Sequence, residues 1–132
     1  MRIWYFGVRA QATDEKGESK IMTKKWKCSC GYIHDGEAAP ESCPKCGAPA
    51  ERFTLLEDAA AELVERSRRT NALHCRLVDL GRQIEGACKD GIEDSLDPGC
   101  AKVFERTLAH SYEIMKLSMT EIQVHAAKDK WG

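Results

Sequence analysis

The chain has no long hydrophobic run, no excess of either charge and, over most of its length, no proline. Nothing in its 132 residues approaches the ~18 consecutive apolar residues of a membrane helix, so a membrane is not expected as a partner. Lysine and arginine total 20 against 21 aspartate and glutamate, a formal net charge of -1. That balance gives no general attraction to nucleic acid or to an acidic membrane surface. The basic clusters Lys24, Lys25, Lys27 and Arg66, Arg68, Arg69 lack interleaved aromatic residues. They read as solvated faces or contacts to an acidic partner, not as a nucleic-acid surface. The start, MRIWYFGVRA, is only briefly apolar. Its apolar core is shorter than the ~7–15 residues of a signal peptide, so a cytoplasmic, reducing compartment is expected. Seven cysteines, an odd number, fit a metal quartet with free thiols better than a disulfide framework.

The distribution of proline and glycine divides the chain. Three of the four prolines, Pro40, Pro44 and Pro49, lie in one segment with Gly31, Gly36 and Gly47, where no helix of ordinary length fits. Upstream, residues 3–9 (IWYFGVR) and Lys20 to Lys27 (KIMTKKWK) read as two strands around a turn at Gly17. Downstream, residues 56–88 contain no proline and only Gly81 before Gly86. There Leu56, Leu63, Thr70, Leu77 and Ile84 recur every seven residues, with Ala59, Leu73, Leu80 and Ala87 three positions later. This is the seam of a helix of coiled-coil type. GIEDSLDPG (91–99) reads as a loop in which Asp97 caps a second helix and Pro98 opens it. Over 98–129 a stripe of Phe104, Leu108, Tyr112, Met115, Met119 and Ile122 marks one face, with Val103, Ile114, Leu117 and Val124 off it. Two long helices with a short connection predict an antiparallel hairpin. The fold class expected is α+β: a small β module over 1–55, then a helical hairpin over 56–132. The apolar residues off the stripe need cover, and self-association through the helices is the simplest source.

Chemistry concentrates in WKCSCGYIHDGEAAPESCPKCG. Cys28 and Cys30 form one close pair, Cys43 and Cys46 another. Two such pairs across a turn-rich loop supply four thiolates for a tetrahedral ion, either zinc or iron. A segment with so little core draws part of its folding free energy from that ion. Trp26, Tyr32 and Phe53 are the aromatic residues available to pack beside it.

The run from Trp26 to Phe53 resembles the rubredoxin-like domain of rubrerythrins. The features shared are Trp26 before the first knuckle, CGYIH from Cys30 to His34, and the DGE-x-x-P loop from Asp35 to Pro40. CPKCGAP from Cys43 to Pro49 and Phe53 complete the run. Twelve residues separate Cys30 from Cys43, the spacing of that family. The resemblance covers roughly a fifth of the chain. It implies a single iron held by Cys28, Cys30, Cys43 and Cys46, one-electron transfer, and a redox protein or enzyme as partner. A structural zinc ribbon is the alternative. One feature departs from the family. The first knuckle is C-x-C where the family has C-x-x-C, so its amide–sulfur geometry is expected to differ.

Rubrerythrins also carry a di-iron site built from Glu and Glu-x-x-His on a helical bundle. Here Glu121 and His125 are spaced E-x-x-x-H, His110 and Glu113 run H-x-x-E, and no E-x-x-H exists. The helices are therefore expected to serve as scaffold or docking element, not as a peroxidase centre. His74 and Cys75 are adjacent on a helix and so point about 100° apart, which excludes a dyad. Cys88 and Cys100 flank the interhelical connection, where a redox pair competes with simple burial.

Overall fold

A computed structural model describes residues 23–132. The expected strand over 3–9 and the start of the strand over 20–27 lie outside the described residues. The part that is described, β1 (Lys25–Cys28), pairs antiparallel with both β2 (Ile33–Asp35) and β3 (Phe53–Leu55), in the order β2-β1-β3. Trp26 stands opposite His34 on one side and Leu55 on the other, and Cys28 stands opposite Phe53. Strands of three or four residues have little core between them. What they bury is the metal segment itself: Cys28, Cys43 and Phe53 form the cluster, with Trp26, Tyr32, Ala39 and Ala48 packed against it. The expected aromatic trio is therefore the core of the module. The Trp26 indole N–H is satisfied by the carbonyl of Gly36 at 3.1 Å.

Helix α1 (Asp58–Asp94) follows, then α2 (Pro98–Ala127). At 1.5 Å per residue α1 is about 55 Å long. It extends beyond the point where the sequence suggested a loop, because Gly91 to Asp94 stay helical. The turn comes at Ser95, which adopts the left-handed conformation (φ 45°) while its N–H bonds the Gly91 carbonyl. Asp97 caps α2 as expected, accepting from the Cys100 N–H at 2.8 Å, with Pro98 in the first turn.

The two helices form the antiparallel hairpin, but not on the seam the heptads suggested. Leu63, Leu73, Leu77, Leu80 and Ile84 are all exposed. The residues that α1 buries are Ala61, Val64, Ser67, Asn71, Gly81 and Cys88. On α2, Met115 is buried with Ser111 and Ser118, and Phe104, Leu108 and Ile122 are half-buried beside them. Tyr112 and Met119 fall outside this seam. Small side chains let the helix backbones approach closely. A β-carbon at Gly81 would overlap Met115, and one at Gly91 would overlap the Phe104 ring. The hairpin's polar groups are partnered within it. The Ser67 and Ser111 hydroxyls donate to carbonyls one turn back, at 2.8 and 2.7 Å. The Asn71 side-chain amide donates to the Lys130 carbonyl and its oxygen faces His125 Nδ1.

An ionic knot fixes the β module to the base of the hairpin. Lys25 is 1% exposed, and its Nζ lies 3.1 Å from Asp35 and 2.9 Å from Glu65 on α1. Arg68 reaches Asp35 through both terminal nitrogens and also bonds the Gly132 carbonyl. Lys25 is thus not solvated, and the acidic partners of both Lys25 and Arg68 belong to the same chain. The segment after α2 folds back across this joint, with Asp129 on Lys27 at 2.6 Å.

Candidate metal centre

Two turns bring the cysteines together. In the second knuckle the Gly47 N–H bonds the Cys43 carbonyl at 2.9 Å and the Cys43 N–H bonds Ala48 at 2.8 Å. In the first, the Gly31 N–H bonds the Cys28 carbonyl at 2.9 Å and the Cys28 N–H bonds Tyr32 at 2.8 Å. The two knuckles share one design, with one residue fewer in the first. Both close through a glycine at positive φ, 96° at Gly31 and 74° at Gly47, where a side chain would be strained. The missing residue is thus absorbed by a tighter turn.

The four sulfurs still converge. Cys28 Sγ lies 3.7 Å from Cys46 Sγ, and Cys30 Sγ lies 3.7 Å from Cys43 Sγ. All four ligand atoms lie within 4.8 Å of one another. A tetrahedral ion with metal–sulfur bonds of ~2.3 Å requires sulfurs ~3.8 Å apart. The two distances across the knuckles match this, and all four sulfurs are close enough together to hold a four-thiolate ion. Zinc and iron both satisfy this geometry.

The electrostatics of the cluster point the same way. Burial pushes the Cys43 thiol up, but the amides of Cys46 and Lys45 and the thiols of Cys28 and Cys30 outweigh it and hold the group at about 7. The Ala48 amide favours the Cys46 thiolate, yet burial and the crowding of Cys30, Cys43 and Cys28 raise it to about 11. Four thiols this close resist full ionisation on their own. A cation bound to all four removes the conflict, and its uptake releases protons.

Exposure divides the ligands. Cys28 and Cys43 are buried, Cys30 is half-buried and Cys46 is exposed. Beside Cys30 a cleft of about 470 Å³ is lined by Lys27, Tyr32, Lys45 and Trp131 among others. The metal therefore has one sheltered side and one edge that opens to solvent.

Outside the quartet, the structure assembles no second centre among the described residues. His125 lies 3.1 Å from Glu121 and half-buried against Asn71, and His110 lies 3.8 Å from Glu113 on the surface. His74 turns inward to Ser118 at 3.3 Å while Cys75 is exposed, so they form no dyad. Cys88 is buried as a free thiol. Cys100 Sγ bonds the Asp97 carboxylate at 3.5 Å, so the two form no pair. His34 sits half-buried in β2. The features that sequence reasoning missed are the Lys25–Asp35–Glu65–Arg68 knot and the returning segment from Asp129. The partners lie far apart in sequence, and a basic run beside a strand carries no signal of burial. No helix among the described residues is long and apolar enough to cross a membrane.

Residues 26–54 match the family model of the rubrerythrin rubredoxin-like domain. Rubrerythrin from Nitratidesulfovibrio vulgaris is 54% identical over 33 residues, 24% of this chain and 17% of that protein. Reverse rubrerythrin-1 from Clostridium acetobutylicum is 56% identical over 36 residues, 26% of this chain and 20% of its own length. Rubrerythrin-1 of the same organism is 41% identical over 46 residues, 34% of this chain and 24% of that protein. The chain thus spans no more than about a quarter of the curated relatives it matches. No solved structure matches it. Residues 26–54 are therefore a rubredoxin-like domain of the rubrerythrin type carrying a four-cysteine metal site, joined to a helical hairpin outside that domain.

Proposed function

We propose that this protein is a one-electron carrier that binds a single iron through Cys28, Cys30, Cys43 and Cys46 and exchanges electrons with a redox enzyme docked near the base of its hairpin. The observation that carries this reading is a rubredoxin-like domain whose four sulfurs lie within 4.8 Å of one another with one edge open. When bound there, iron supplies a ferrous–ferric couple, and fixed soft ligands suit both states. The chain's own contribution is to hold the four sulfurs in one arrangement, to shelter Cys28 and Cys43, and to leave the Cys30–Cys46 edge accessible. The knot at Lys25 keeps that edge in a fixed orientation to the helices on which a partner docks. The test is expression with ample iron, followed by metal analysis and an absorption spectrum. A red protein with one iron per chain, bleached on reduction, is expected. Colourless protein with stoichiometric zinc would refute it.

A structural zinc ribbon is the second reading. The observation in its favour is the same knot, since a module bound so firmly to α1 serves equally as a rigid base for a helical adaptor. That reading predicts a redox-silent site.

A further inference from the structure

We propose that the exposed leucine face of the hairpin is the core of a four-helix dimer in which a second copy lies head to head, with both metal modules at the same end. Leu63 and Leu80 stand one position before Val64 and Gly81 of the buried α1 seam, and Leu73, Leu77 and Ile84 one position before the half-buried His74, Val78 and Glu85. One residue turns a helix by about 100°, so these side chains form a stripe a quarter-turn or so from that seam. On α2, Val103, Ile114 and Leu117 stand one position before Phe104, Met115 and Ser118. Because the helices are antiparallel, the same offset carries both stripes to the same side of the hairpin. These eight side chains are between 36% and 66% exposed. The opposite side carries Asp79, Arg82, Lys89, Glu105 and Lys116 together with the exposed Tyr112 and Met119. An apolar face of eight side chains marks an interaction surface.

Size and charge identify a second copy as the occupant. From Leu63 to the level of Val103 the face is about 40 Å long at 1.5 Å per residue and roughly 20 Å wide across two helices. That is on the order of 800 Å² per copy, the amount each partner buries in a stable complex. Contacts of Asn71 with His125, and of the Gly91 position with Phe104, fix the level of one helix against the other. Arg76 is thus level with Glu121, Gln83 with Glu113, and Asp90 with Arg106. All six are exposed. A two-fold axis parallel to the helices lays α1 of one copy over α2 of the other without changing these levels. Each pair then meets across the interface as cation with anion or amide with carboxylate. Glu121 also bonds His125 within its own chain, which leaves its second oxygen for Arg76. An axis perpendicular to the helices superposes α1 on α1 and forms none of these pairs.

The metal-loaded full chain in sedimentation velocity should run at about twice its 14.8 kDa mass. Leu77→Asp with Ile114→Asp should give a monomer that keeps its helical circular dichroism. Asp90→Arg should weaken the dimer roughly ten-fold, and adding Arg106→Asp should restore it. A monomeric wild type, with residues 1–22 or a different protein covering the face, overturns the proposal. A dimer indifferent to the aspartates overturns the face, and a charge reversal without rescue overturns the orientation. If the aspartate variant does not fold, the charge-swap pair decides.

Discussion

Replacing Asp35 with alanine should destabilise the protein far more than removing the buried cation that Asp35 partners. In the native fold Lys25 is almost wholly buried between Asp35 and Glu65, and Arg68 bonds the same two carboxylates. Asp35→Ala leaves Lys25 and Arg68 facing Glu65. Charge-assisted hydrogen bonds contribute about 1.5–3 kcal/mol each, and stranding one member of a buried pair costs about 3–5 kcal/mol. The side chain of Asp35 is about a third exposed, so solvent screens part of this, and the expected loss is about 2–3 kcal/mol. Lys25→Met keeps an apolar stem of similar length, removes the desolvated ammonium and leaves Asp35 on Arg68. Its expected cost is within about 1 kcal/mol. Urea unfolding of the metal-loaded chain, followed by circular dichroism and by absorbance of the metal centre, reads both. With a slope near 2 kcal/mol/M, the midpoint of Asp35→Ala should fall by roughly 1–1.5 M and that of Lys25→Met by less than 0.5 M. If Lys25→Met is the more damaging change, the cation is contributing net stability and the reasoning fails.

The same knot predicts a pH dependence. The Arg68 guanidinium, aided by Lys25 and opposed by burial, holds Asp35 below its ordinary value of 3.8. A depressed carboxyl stabilises the fold above its unfolded pKa, so this contribution should be intact at pH 5 and be lost as pH falls below about 4, and Asp35→Asn should flatten that limb of the stability curve. Gly81→Ala gains up to about 1 kcal/mol of helix propensity, yet the new methyl overlaps Met115. Overpacking costs about 1–3 kcal/mol, so a net loss in thermal unfolding is expected, and a raised melting temperature would contradict the close helix contact. Cys43→Ser should abolish metal binding and loosen the β module while the far-ultraviolet helical signal persists. A helical signal that collapses together with the metal would show instead that the knot makes one cooperative unit of the two parts.

The metal centre was legible because its information is local. Four cysteines, two glycines and the spacing between them define two turns, and neither turn depends on the rest of the chain. The shortened first knuckle is expected to differ in geometry because a one-residue deletion ordinarily shifts everything after it. Gly31 absorbs it by closing its hydrogen bond on Cys28 one residue earlier, and each sulfur of the first knuckle still comes within 3.7 Å of a sulfur of the second. The helix cap at Asp97 was legible for the same reason. The end of α1 was not: the stretch 91–99 reads as a loop, whereas in the hairpin the missing side chain of Gly91 makes room for Phe104 and the helix runs on to Asp94.

The hairpin seam shows why pattern alone misleads in a helix with two apolar faces. A seven-residue repeat marks every stripe that is to be covered, without saying by what. On α1 the stripe of large side chains reads as the seam, since leucine ordinarily outranks serine, asparagine and glycine in a core. Two helices joined by a three-residue connection, Ser95 to Asp97, are held close whatever lies between them, and close approach selects small residues. Leucines on that seam would force the helices apart, whereas Gly81, Ser111 and Ser118 admit Met115 and His74 and find partners for their polar atoms along the same line. The large side chains are then left for a surface with room for both sets to interdigitate. In the dimer we propose, a hairpin whose inner seam is small and polar and whose outer face is rich in leucine is one half of a larger core. The leucine layer would be buried there only when a second hairpin closes over it.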